Sequence, residues 1–347
     1  MKPNKLSSQL TKLVECNEPV LLVGLPGLGK TDVVESVAKS LEYNVVTFHP
    51  VVDDPTNYKG LPCEVNGNAE FLPYAQLRKL VEADVPTIAF FDDLGQASQS
   101  VQGALMQLFL SRKVNEHKIS DKVSFIAATN SRKDRAGVKG LIKPLLSRFT
   151  SIINVECDVD DWCKWAASNN MPPALISFIR FRPNMLMQFD PNFVDSNGED
   201  MVNQPSPRTV AACGRLLNAG IEDYEILSGC VGESFASELK GFIKIVRDLG
   251  DMPKKIATGQ LVDCPSAPDV LYALCGSLCH FAGNDIEGKN GNPTYWSNIA
   301  KWGKGNLPEE FQILLLKEVE GKYQDNIWNT TEYVDWSSSL YKFMNDE

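Results

Sequence analysis

Residues 24–31 read GLPGLGKT, a G-x-x-x-x-G-K-[ST] pattern. An apolar run, PVLLVG (19–24), leads into it. The stretch that follows, KTDVVESVAKSLE (30–42), places Val33, Val34, Val37, Ala38 and Leu41 on one helical face. No other feature constrains the chain as much. A short continuous apolar run reads as a strand buried on both faces, the kind found in parallel sheets covered by helices. Glycines between strand and helix let backbone N–H groups turn inward around phosphate oxygens. Lys30 then offers a point charge to the β- and γ-phosphates, and the Thr31 hydroxyl reaches Mg2+. The start of the following helix also favours anions, because its first N–H groups are unpaired. The candidate phosphate cradle is Gly24, Leu25, Pro26, Gly27, Leu28, Gly29, Lys30 and Thr31.

The rest of the first half keeps the same rhythm. NVVTF (44–48), PTIAFF (86–91), KVSFIAAT (122–129) and TSIINV (150–155) read as strands. PYAQLRKLVEAD (73–84) and QSVQGALMQLFLS (99–111) read as helices. Such alternation implies a parallel sheet with helices on both faces. After about residue 157 the strand patterns stop. PSPRTVAACGRLLNAG (205–220) is a helix with a proline-rich start and a glycine stop. SELKGFIKIVRDLG and SAPDVLYALCGSLCHFAG also read as helices. Residues 183–205 and 284–306, rich in Asn with Pro or Gly, read as loops or hinges. The expected organisation is an α/β domain over residues 1–157, a helical domain over 158–260 and a helical C-terminal extension over 261–347.

The third strand, PTIAFF, runs into two carboxylates, Asp92 and Asp93. A carboxylate at the end of a strand beside a P-loop suits the Mg2+ shell, and Asp92 fits that position. The next acid can polarise or orient an attacking water. The alternative is a plain Asp-Asp turn. FIAATN ends at Asn130, an amide able to orient water near a γ-phosphate. Arg148 stands just before a strand, where a guanidinium can reach a neighbouring subunit's nucleotide. Arg208 lies in the first turn of a helix, where the dipole disfavours a cation unless an anion faces it. Each of the last three also reads as an ordinary surface residue when taken alone.

Composition narrows the classes. The chain of 347 residues is long enough for two or three domains, and 43% apolar with 22% charged residues is ordinary for a globular protein. No apolar run reaches the 18 residues that a membrane span needs, and the start lacks a signal-peptide core. Nine scattered cysteines suit free thiols of a reducing cytoplasm. A net charge of −10 argues against a polyanion binder over the whole surface.

Together, GLPGLGKT, VVDDPTNYKGLPCEVNGNAEFLP, FFDDLGQASQSVQGALMQLFLSRKV, FIAATN, LLSRF and PSPRT resemble the AAA+ ATPases, and closely the MoxR-like branch of the dynein-related, helix-2-insert type. The resemblance covers about residues 10–220. It implies a P-loop AAA+ parallel sheet of strand order 5-1-4-3-2 sandwiched by helices, then a helical lid. It implies that residues 24–31 are the Walker A loop and that Thr31 and Asp92 serve Mg2+. It further implies catalytic positions at Asp93, Asn130 (sensor 1), Arg148 (arginine finger) and Arg208 (sensor 2, acting across a subunit interface). The Asn-Gly turn in CEVNGNAEF marks a hairpin. The family carries a pore-facing insert there, and a second hairpin where this chain has SRKVNEHKISDKV (111–123).

The activity implied is Mg2+-dependent hydrolysis of ATP by a homo-oligomeric ring, a hexamer, that remodels a protein client, with a von Willebrand A-type adaptor as partner. Compact proteins of this kind occur in bacteria and their phages. Two rival readings remain: a nucleic-acid motor, and an ATP-gated assembly platform with slow hydrolysis. The second rests on one departure. The family carries Asp-Glu where this chain has Asp92-Asp93, and the shorter acid falls about one ångström short of water.

Other clusters read as packing. Cys275, Cys279 and His280 have no second Cys/His pair nearby in sequence to complete a four-ligand metal site, so they read as a buried helix face. Cys157 and Cys163 read alike. His49 and His117 are isolated. The basic stretch 131–140 reads as a solvated interface loop, with Arg135 as a second candidate finger. Trp296, Trp302, Trp328 and Trp336 read as core or docking residues.

Overall fold

The structure is a computed structural model describing residues 1–131, 140–190, 192–193, 202–283, 293–327 and 331–344. The chain divides into two compact units, Met1–Asp158 with Phe189–Phe193, and Val159–Gln188 with Val194–Glu347.

The first unit begins with α1 (Pro3–Glu15), β1 (Val20–Val23), α2 (Lys30–Leu41) and β2 (Asn44–Phe48). A short helix α3 (Thr56–Lys59) precedes the hairpin β3 (Leu61–Val65) and β4 (Asn68–Leu72). Then come α4 (Ala75–Val81), β5 (Thr87–Phe91) and α5 (Gln99–Ser111). A second hairpin, β6 (Lys113–Val114) and β7 (His117–Lys118), leads to β8 (Val123–Thr129), α6 (Lys143–Leu146) and β9 (Ser151–Asn154).

The sheet order is β2-β5-β8-β1-β9, with every pairing parallel. Counted along the chain without the hairpins, this is the 5-1-4-3-2 order expected above. The pattern follows from the residues. TIAFF of β5 and VSFIAAT of β8 are wholly buried, as central strands covered on both faces must be. Helix α5 starts where the Ser98 hydroxyl accepts from Val101 N at 3.3 Å, which satisfies one of the orphan donors of the first turn. An aromatic stack forms the core on one face. Phe48 and Phe91 lie parallel with centroids 4.8 Å apart. Phe109 links Phe91 to Phe125 and Phe149, at 5.0, 5.3 and 5.0 Å respectively.

Both hairpins form where expected. At the tip of the first, Asn66 and Gly67 both have positive φ, 53° and 82°, as a two-residue Asn-Gly hairpin turn requires. The second pairs only Lys113 with Lys118 and Val114 with His117.

The second unit has helices and no strand among its described residues: α7 (Val159–Ser168), α8 (Pro173–Phe181), α9 (Pro207–Asn218), α10 (Tyr224–Val231), α11 (Glu233–Asp248), α12 (Met252–Ala257), α13 (Pro268–Gly283), α14 (Pro293–Asn306), α15 (Glu309–Ile327) and α16 (Thr331–Met344). Residues on either side of position 261 share this unit, because α13 packs against α8 and α11 as well as α15. One expectation is corrected. Residues 293–306 form α14 instead of a loop or hinge, since Trp296, Ile299 and Ala300 recur at helical spacing and are all buried. Residues 284–292 lie outside the described residues.

Trp296, Trp302 and Trp336 are core residues; Trp328 lies outside the described residues. The indoles of Trp302 and Trp336 reach Val262 O at 2.9 Å and Gln312 Oε1 at 2.8 Å, so these large rings bury without stranding their N–H donors. Cys275 and Cys279 are buried on α13, and burial pushes both thiols well above their ordinary pKa. No helix among the described residues is long and apolar enough to cross a membrane.

Candidate active site

Parallel strands bring their carboxyl ends to one edge, and that edge is where α/β sheets gather ligand-binding loops. Three loops leave it here side by side: Gly24–Gly29 after β1, Asp92-Asp93 after β5 and Asn130 after β8. The first turns sharply into α2. Gly29 has φ 78°, in the left-handed region, and a Cβ there would also come within 3.3 Å of Asp32 Oδ2. Glycine is the residue this turn needs.

Lys30 opens α2, and its ammonium folds back over the loop. Nζ donates to Gly24 O at 2.9 Å, Leu25 O at 3.0 Å and Asn130 Oδ1 at 2.9 Å. The other end of the same amide, Asn130 Nδ2, donates to Asp93 Oδ1 at 3.2 Å. Beside this chain the Thr31 hydroxyl donates to Asp92 Oδ2 at 3.1 Å. Residues 30, 31, 92, 93 and 130 are thus joined by two hydrogen-bonded sets. Lys30 and Asn130 are buried.

The acid pair has its own local geometry. Asp92 N donates to Phe48 O at 3.0 Å, so strand pairing continues to the first acid. Asp93 then turns left-handed, with φ 51° and ψ 33°, and its N–H donates to Asp92 Oδ1 at 3.0 Å. Asp tolerates this conformation better than most residues. The turn separates two neighbouring carboxylates, one directed to Thr31 and one to Asn130.

Arg148 follows α6 and precedes β9. It makes no hydrogen bond to the set above, and its buried Nε has no hydrogen-bond partner among the described residues. Arg208 belongs to the second unit, as the exposed second residue of α9. That helix begins with a capping box: Ser206 Oγ accepts from Thr209 N at 3.3 Å and Thr209 Oγ1 accepts from Ser206 N at 2.8 Å. The basic stretch 131–140, with Arg135, falls almost wholly outside the described residues.

Sequence reasoning missed Gln102. It is buried in α5, where its amide donates to Ala97 O and Gly140 O, both at 3.1 Å, and accepts from Ile142 N at 2.9 Å. It thereby fixes the approach to α6 and Arg148. A polar residue on the apolar face of a helix was the available signal.

A P-loop at the carboxyl edge of this sheet, with a hydroxyl, two acids and an amide around its lysine, defines a P-loop nucleotide-binding unit. Residues 19–149, from β1 to the threshold of β9, match the family model of the AAA domain (dynein-related subfamily), in keeping with the P-loop AAA+ fold of this segment. Midasin of Giardia intestinalis is similar, at 23% identity over 188 residues, 50% of this chain and 4% of that protein. The chain therefore spans only a small part of that relative. Among solved structures, a RuvB variant of Thermotoga maritima covers 79% of this chain and 80% of its own, with 18% identity and a TM-score of 0.42. NtrX from Brucella abortus in complex with ADP covers 98% of this chain and 67% of its own, with 13% identity and a TM-score of 0.38.

Proposed function

We propose that the chain is a Mg2+-dependent, ring-forming ATPase of MoxR-like type that uses hydrolysis to remodel a protein partner. In this reading residues 158–260 serve as the lid and 261–347 as an extension. The observation that carries the reading is the arrangement of Lys30, Asn130 and Asp93 in one hydrogen-bonded chain, beside the Thr31–Asp92 pair. An ammonium has three protons, and here Gly24 O, Leu25 O and Asn130 Oδ1 take them. A phosphate oxygen therefore exchanges places with one of these acceptors. Exchange with Asn130 is the productive choice, because it leaves the amide free to orient water with Asp93.

Thr31 and Asp92 are hard oxygen donors 3.1 Å apart. They fit Mg2+, which binds through few protein oxygens together with substrate phosphates, and which would supply charge neutralisation there. Asp93 orients the attacking water and polarises its O–H bond. Arg148, whose Nε has no hydrogen-bond partner among the described residues, acts on the nucleotide of a neighbouring subunit, which is why a ring is required. Arg208 contributes in the same way from the start of α9. The net charge of −10 favours a protein client over nucleic acid.

The test is ATP turnover measured with Mg2+ present and absent, and with and without DNA, alongside sedimentation with nucleotide. Expected are Mg2+-dependent turnover, nucleotide-promoted assembly and no response to DNA. The Lys30→Ala variant should bind no ATP; tight Mg2+-dependent binding by that variant would overturn the P-loop assignment. Strong stimulation by DNA would favour a nucleic-acid motor.

A further inference from the structure

The hairpin β3–β4 is fastened to the sheet through a polar network that the reaction chemistry does not use. Asp53, in the turn after β2, accepts from the Tyr58 hydroxyl and, at 3.3 Å, from Asn57 Nδ2. Asn57 Oδ1 accepts from the Tyr74 hydroxyl at 3.1 Å. Asn57 and Tyr58 lie on α3, where the chain enters the hairpin, and Tyr74 lies where it leaves. The two ends also press together: Gly60 has φ 85°, and a Cβ there would sit 2.6 Å from Leu72 O.

Two further contacts run outward from this clamp. On one side Asn115, at the turn of β6–β7, donates from Nδ2 to Lys59 O at 2.6 Å, which joins the second hairpin to the root of the first. On the other, the Tyr58 ring is buried against Phe48 and Phe91, with centroids 5.7 and 6.4 Å away. Phe91 is the residue before Asp92, and Phe48 O holds the Asp92 N–H. Burial and the Asp53 carboxylate both push the Tyr58 hydroxyl well above its ordinary pKa, so it remains a donor at any working pH.

We infer that Tyr58 is a positioning residue for the Asp92–Asp93 pair, and that the Asn115–Lys59 bond makes the two hairpins one body whose displacement reaches those acids through the Tyr58–Phe48–Phe91 contact. The inference rests on the proposed ATPase reading and adds to it the side chains that link the hairpins to the acids. The physical basis is ordinary. Packed aromatic cores transmit strain because they do not compress, and a displacement of about one ångström at a reacting group costs up to roughly 10²-fold in rate.

The test uses the full chain and two mild substitutions. Tyr58→Phe keeps the ring and removes the bond to Asp53. Asn115→Gly keeps the left-handed turn (φ 50°) and removes the bond to Lys59. Turnover number, KM for ATP, affinity for a fluorescent ADP analogue and the Mg2+ concentration for half-maximal rate are measured for each variant and for the pair. Expected is a loss in kcat of about five- to tenfold in each single variant, the range of coupling carried by such contacts. ADP-analogue affinity should stay within about twofold of the unaltered chain. The double variant should lose less than the product of the two, because both break one path. Unchanged kcat in either single variant, losses that multiply, or a kcat loss matched by equal loss of ADP-analogue binding would overturn the inference. Absence of turnover in the unaltered chain would overturn the ATPase reading, and this inference with it.

Discussion

Asn130 donates to Asp93 at 3.2 Å while its carbonyl accepts from Lys30 at 2.9 Å. Few side chains can do both: a carboxylate cannot donate to Asp93, and a hydroxyl is too short to span the two. The amide orientation is therefore fixed by a cation on one side and an acid on the other. Replacing Asn130 with Ala should leave ATP binding within a few-fold and lower kcat by about 10²-fold, the cost of losing one preorganised polar group. Separate measurement of nucleotide affinity and single-turnover hydrolysis checks this. Equal losses in both would show that Asn130 serves binding alone.

Asp93 carries the sharpest chemical question at the site. Its left-handed backbone and its contact with Asn130 place the carboxylate, and a glutamate would extend it by one methylene. Asp93→Glu should keep or raise turnover, because reach is what the shorter acid lacks. Asp93→Asn should lower it by at least about 10²-fold, since an amide is a poor base. Steady-state ATPase rates decide; a large drop in the glutamate variant would show a site built around aspartate.

How far the residues alone disclose this site depends on the range of each contact. The P-loop, the acids and Asn130 each end a buried strand, and hydrophobic runs of that kind are legible because burial on both faces leaves no alternation. The first hairpin was legible from Asn66-Gly67. The Asp53–Asn57–Tyr74 clamp was not, because it joins residues up to 21 apart whose only common property is polarity, and sequence reading assigns such groups to solvent. Residues 293–306 read as a loop or hinge for a related reason. Asn and Gly dominate the local composition, whereas three buried apolar positions, Trp296, Ile299 and Ala300, decide the helix. Tertiary burial overrode local propensity there.

Arg148 is expected to act outside its own chain. A buried Nε with no partner among the described residues costs stability in the isolated subunit, so Arg148→Ala should leave the unfolding midpoint unchanged or slightly raised. ATP binding should persist and turnover should fall by about 10³-fold, as for other arginine fingers. Mixing Arg148→Ala with Lys30→Ala subunits gives a direct check. Each lacks what the other holds, so mixed assemblies should regain turnover that neither variant has alone. No recovery would place the finger elsewhere, Arg135 being the next candidate.

The thiol of Cys213, buried in α9, is pushed up to about 12 by burial. An unfolded thiol titrates near pKa 9.0. Between those values the unfolded chain has released a proton that the folded chain keeps. Stability from this group is therefore complete below about pH 8 and falls as pH rises through 9 towards 12. Denaturant unfolding at pH 7.5 and pH 10 should show the loss in wild type and a smaller one in Cys213→Ala. Iodoacetamide at pH 8 should label exposed Cys16 and Cys63 and spare Cys213, because only the accessible thiolate reacts.

The helical unit contains a buried ion pair whose removal should be costly. Arg180 Nε lies 2.9 Å from Glu318 Oε1, and Nη1 lies 2.9 Å from Asp160 Oδ1. The contact with Glu318 has ion-pair distance but not hydrogen-bond alignment. The side chains of Arg180 and Glu318 are only 8% and 9% exposed, whereas Asp160 is 50% exposed. Asp160 can therefore turn to water when Arg180 is lost, and Glu318 cannot. Arg180→Met keeps the volume of the stem but removes a buried counter-ion of Glu318, which should cost about 3–5 kcal/mol. Adding Glu318→Gln removes that charge and should recover most of the loss, since a neutral amide is far cheaper to bury. A double-mutant cycle by urea unfolding measures the coupling. A cost below about 1 kcal/mol for Arg180→Met would mean that water reaches Glu318 and that the pair behaves as a surface bridge.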